Sequence, residues 1–107
     1  MKRRQPIRVR GRSRFPKRRN LEYVRWIRKL ACLLEHTDEC SGRTEAAHVK
    51  GRAAGGNDVG NTVPLCFRHH FEQHAIGLKT FEGRYGIDLA REAQRYAKEY
   101  EEYEAAA

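Results

Sequence analysis

Nine consecutive positions, Cys66 to His74 in the string VPLCFRHHFEQH, hold one cysteine and three histidines, in a chain with only three cysteines and five histidines. On a helix, side chains three or four apart share a face, and immediate neighbours diverge by about 100°. Cys66 and His69 are three apart and can converge. His70 and His74 are four apart, so their imidazoles can meet on one ion. His69 and His70 are neighbours and point in different directions. The stretch therefore allows two metal sites rather than one.

A structural zinc takes four ligands, often three cysteines and one histidine. Cys66 and His69 form a C-x2-H half. The remaining cysteines, Cys32 and Cys40, lie upstream with a gap longer than the usual two to four residues. The set Cys32, Cys40, Cys66 and His69 uses every cysteine and explains their odd number, which suits a disulfide framework badly. His36, between the first two, is an alternative ligand. The opposing reading is three small buried thiols.

These residues need elements to hold them. Asn20 is a plausible N-cap. After it, Leu21, Val24, Ile27, Leu30 and Leu34 step at three and four, which predicts one apolar helical face across LEYVRWIRKLACLL. TEAAHV and TVPL read as short strands joined by KGRAAGGNDVGN, whose four glycines in twelve residues mark a loop. Pro64 suits an edge or a two-stranded hairpin. CFRHHFEQHA reads as a helix with Phe67 and Phe71 on one side and Gly77 at its end. LKTFEGRYG can add a short helical turn. IDLAREAQRYAKEYEEYE predicts a terminal helix capped by Asp88, with Leu89, Ala93, Tyr96 and Tyr100 inward.

The charge is uneven. Residues 1–20 carry ten basic side chains and no acidic one, leaving 12 basic against 14 acidic side chains in the other 87 residues. Lys2, Arg3, Arg4, Arg8, Arg10, Arg12, Arg14, Lys17, Arg18 and Arg19 thus form an arm, broken by Pro6, Gly11 and Pro16 and expected to be disordered when free. Such an arm fits DNA, bound without sequence preference; a solubilising tail is the plainer reading. It has no apolar face for a membrane surface, and neither a signal peptide nor a spanning segment is expected. The expected compartment is reducing and cytoplasmic.

His48 in a strand, Asn61 thirteen residues later, His70 nine further and His74 four beyond follow the order and spacing of a known group. The string AAHV…GGND…GNTVPLCFRHHFEQH resembles the HNH nucleases. FEGRYGIDL after it is similar to their zinc-containing phage recombination-type (Ref-like) branch. The likeness covers roughly residues 21–90 and is most specific over 45–74.

The resemblance implies a small α+β fold. A ββα-metal core at about 45–76 sits within a domain of 21–104, flanked by N- and C-terminal helices and stapled by zinc. It implies a metal-dependent DNA endonuclease or nickase that leaves 5′-phosphate and 3′-hydroxyl ends. His48 would be the general base. Asn61 would brace the loop so that a backbone carbonyl fixes the His48 tautomer. His70 and His74 would hold one catalytic ion, Mg²⁺, Mn²⁺ or Ni²⁺. Many relatives place a metal-binding His or Asp before the base, where this chain has Ala47. Asp58 or Glu45 is expected to compensate. The setting implied is phage or bacterial recombination, repair or packaging, with a recombination or packaging protein as partner. The competing function is a non-catalytic zinc-stapled DNA-binding module.

Overall fold

The computed structural model describes residues 19–51 and 57–106. The basic arm up to Arg18 lies outside the described residues, as does the middle of the glycine-rich loop. The architecture is a small α+β unit: α1 (Leu21–Arg28), a 3-10 turn (Glu35–Thr37), β1 (Thr44–His48), β2 (Thr62–Cys66), α2 (Phe67–Ile76), α3 (Leu78–Tyr85) and α4 (Leu89–Ala106). Among the described residues, no helix is long and apolar enough to cross a membrane.

Asn20 caps α1 by accepting the Tyr23 N–H at 3.0 Å. The helix is shorter than its apolar pattern predicts, and it buries Tyr23 and Ile27 while Leu21 stays exposed. The large Tyr23 ring wins the inward position by packing edge-on against Tyr100, with centroids 4.8 Å apart. Past Arg28 the chain leaves the helix, because tertiary partners outbid the next helical turn. Leu33 donates its N–H to the Pro64 carbonyl at 2.8 Å, and Cys32 and Leu34 enter the core.

β1 and β2 form a two-stranded antiparallel hairpin in the register Thr44↔Cys66 to His48↔Thr62. Pro64 has no N–H to give β1, and its carbonyl turns outward to Leu33. All five β2 residues are buried, since helices cover the strand on both sides.

β2 runs straight into α2 with Cys66 as the N-cap. The first two α2 N–H groups are satisfied by the Arg43 and Ser41 carbonyls, at 2.9 and 3.1 Å. This close approach needs Gly42: its φ is +83°, and a Cβ there would stand 2.6 Å from Phe67 Cβ. Phe67 and Phe71 share a side of α2 and stack at 6.4 Å, facing solvent.

LKTFEGRYG is more than a turn: α3 is an eight-residue helix that buries Phe81 and ends at left-handed Gly86. Asp88 then caps α4 through the Arg91 N–H. Leu89, Ala93, Tyr96 and Tyr100 face the core, as the sequence predicts.

Candidate metal centres and the His48 pocket

Four ligand atoms converge where the 32–40 segment meets the β2–α2 junction. His69 Nδ1 lies 3.6 Å from Cys32 Sγ, 3.7 Å from Cys40 Sγ and 3.2 Å from Cys66 Sγ. All four donor atoms fall within 4.8 Å of one another, close enough to hold a metal ion. Zinc–ligand bonds of about 2.3 Å to sulfur and 2.0–2.1 Å to nitrogen set tetrahedral S···N edges of about 3.5 Å. The observed separations bracket that value.

The surroundings prepare each donor. Thr37 Oγ1 donates to the Leu34 carbonyl at 2.8 Å, so toward His69 Nε2, 3.4 Å away, it can only accept. That puts the ring proton on Nε2 and leaves Nδ1 bare for a metal. Burial, reinforced by the Arg68 charge, holds His69 below the usual imidazole range and keeps it neutral.

The Leu34 and His69 N–H groups point at Cys32 Sγ and Cys66 Sγ, each at 3.4 Å. Burial opposes ionisation of Cys66. The His69 and Ser41 N–H groups, with the Cys40 and Cys32 thiols, still bring it below the ordinary thiol value. Burial pushes Cys32 and Cys40 up, and neighbouring cysteines add repulsion. Three clustered thiolates repel, and a cation relieves that repulsion. His36 sits exposed on the 3-10 turn, outside this cluster.

The second group lies on the next face of α2. His70 and His74 bring their Nε2 atoms to 3.2 Å. Two nitrogens about 2.1 Å from one ion stand about 3.0 Å apart at a right angle and about 3.4 Å apart in a tetrahedron. The spacing is that of a hydrogen bond between the two rings and is also compatible with two ligands of one ion. Glu45 Oε1 accepts from His70 Nδ1 at 2.8 Å. This directs the bare Nε2 of His70 at the shared point. Strand alternation puts Glu45 on the same β1 face as Ala47, which is buried in the core and offers no ligand. Arg28, Arg43, Thr44, Glu45, Ala46 and His70 line a cleft of about 530 Å³ beside this pair.

His48 ends β1 in a third group. Its Nε2 lies 2.7 Å from Asp58 Oδ1. Asp58 is buried, and its Oδ2 accepts the Asn20 backbone N–H. Asp58 thus stands on His48. Among the described residues, no hydrogen bond joins His48 to His70 or His74, and β1 is what links the two groups.

Asn61 braces the hairpin. Its side-chain oxygen accepts the Lys50 N–H at 2.9 Å, its amide donates to the Lys50 carbonyl at 2.7 Å, and its own carbonyl accepts the Val49 N–H at 2.8 Å. The partner seen on His48 is the Asp58 carboxylate.

Sequence reasoning missed Thr37 behind His69 and Arg43 beside His70. Only Glu45 left a readable signal, through its alternation with Ala47. The chain matches no family model, no curated protein and no solved structure.

Proposed function

We propose that this chain is a metal-dependent DNA endonuclease or nickase of HNH type, stapled by a structural zinc. The observation that carries this reading is the His70–His74 pair, with Nε2 atoms 3.2 Å apart and Glu45 fixing the nitrogen that faces away. A neutral structural module has no use for a carboxylate-oriented pair of imidazoles beside an arginine-lined cleft.

Cys32, Cys40, Cys66 and His69 hold the zinc and tie the 32–40 segment to the start of α2. His70 and His74 hold a divalent ion such as Mg²⁺, Mn²⁺ or Ni²⁺. When bound, that ion supplies positive charge to polarise a phosphate and neutralise a departing oxygen. Arg28 and Arg43 bind phosphate oxygens in the cleft. His48 takes a proton from water, the water oxygen attacks phosphorus, and the bond to the 3′ oxygen breaks. That oxygen leaves as a 3′-hydroxyl after taking a proton from solvent, and the phosphate stays on the 5′ end. The basic arm holds duplex DNA through its backbone, without reading sequence.

The end chemistry tests this. Nicks made by the protein should be sealed directly by a DNA ligase, which requires 5′-phosphate and 3′-hydroxyl ends. Nicks that seal only after end repair would exclude the proposed hydrolysis.

A further inference from the structure

We propose that Asp58 is a positioning residue for His48: its buried carboxylate holds the Nε2 proton and leaves Nδ1 as the basic nitrogen. The catalytic consequence rests on the nuclease reading; the proton placement does not.

The carboxylate is fixed from several sides. Oδ1 meets His48 Nε2 at 2.7 Å, and Oδ2 accepts the N–H of Asn20. The Asp58 backbone carbonyl accepts from Thr62 Oγ1 at 2.6 Å, on the strand that pairs with His48. Asp58 is 1% exposed, whereas the His48 side chain is 26% exposed. An ionised carboxylate only accepts, so the nitrogen facing it must donate. A neutral imidazole has one N–H, and once Nε2 carries it, Nδ1 holds the lone pair. When His48 takes a proton from water, it becomes an imidazolium already paired with a buried anion. A buried aspartate sets the tautomer of a catalytic histidine in the same way, here through the other ring nitrogen.

Asn20 makes the substitution test sharp. In Asp58→Asn, the amide oxygen must stay on the Asn20 N–H, because an NH₂ there would meet another donor. The NH₂ then faces His48 Nε2, which must accept, and the ring proton moves to Nδ1.

The experiment is nitrogen NMR of ¹⁵N-imidazole-labelled full chain with zinc bound and His48 neutral, with its signals assigned by His48→Gln. Wild type should carry the proton on Nε2, and Asp58→Asn on Nδ1. In plasmid nicking with Mn²⁺, Asp58→Asn should lose about 10⁴-fold in kcat with KM nearly unchanged, the scale seen when an aspartate of this kind is made neutral. A wild-type proton on Nδ1 overturns the proposal even if the variant fails to fold. A folded Asp58→Asn with unchanged tautomer and kcat also overturns it. If wild type does not nick, the nuclease reading fails, and the spectra still decide the proton placement.

Discussion

His70 and His74 stand one helical turn apart on α2 with their Nε2 atoms 3.2 Å from each other. Neither belongs to the cysteine cluster, although His69, the neighbour of His70, is part of it. On the proposed reading one helix serves two metal centres, and each should be removable without the other.

His74→Ala should weaken Ni²⁺ or Mn²⁺ binding by more than about tenfold, because one of two protein ligands is lost. Glu45→Gln should weaken it by about 10–100-fold, since it removes the carboxylate behind His70. Calorimetric titration gives both affinities. Zinc content should stay at wild-type level in each variant.

The cysteine cluster should behave in the opposite way. Purified protein should carry one zinc per chain, and a strong chelator should unfold it. Cys66→Ala should lose the zinc and the cooperative unfolding transition. Thr37→Val, which takes away the acceptor for His69 Nε2, should lower zinc affinity about tenfold. Metal analysis with thermal unfolding followed by circular dichroism checks all three, and full zinc retention by Cys66→Ala would exclude this ligand set.

Gly42→Ala should destabilise the zinc-bound fold by roughly 2–4 kcal/mol, combining a left-handed backbone strain with overpacking against Phe67. Gly83→Ala, where a Cβ meets nothing within 4 Å, is the control and should be neutral or stabilising. Urea denaturation of both variants reads the difference.

DNA affinity should divide between the arm and the cleft. Deleting residues 1–19 should weaken binding and flatten its dependence on salt. Arg28→Ala or Arg43→Ala should each reduce the logarithmic salt slope by about 0.9 if one phosphate contact is lost. Fluorescence anisotropy on a labelled duplex at several salt concentrations gives these slopes, and an unchanged slope on arm deletion would end the arm's proposed role.

The helix α2 was readable because its spacing is local: three- and four-residue steps alone separate Cys66 and His69 from His70 and His74. The hairpin was readable from strand alternation around a glycine-rich loop. The end of α1 was not, because Leu33 leaves the helix for Pro64, a partner 31 positions away. The contact between Asp58 and His48 was not legible for a similar reason. The position of Asp58 depends on Asn20 at the start of α1, and no local pattern reports a contact across 38 residues. The Cys32–Cys40 gap looked long for a ligand pair, and the 3-10 turn between them folds it to the required reach.

Supercoiled plasmid incubated with Mg²⁺, Mn²⁺ or Ni²⁺ tests the nuclease proposal at its base. Wild-type protein should convert it to the nicked form with at least one of these ions, and His48→Ala, folded and zinc-bound, should leave it supercoiled. Equal nicking by the two proteins, or none by wild type with any ion, would contradict the proposal.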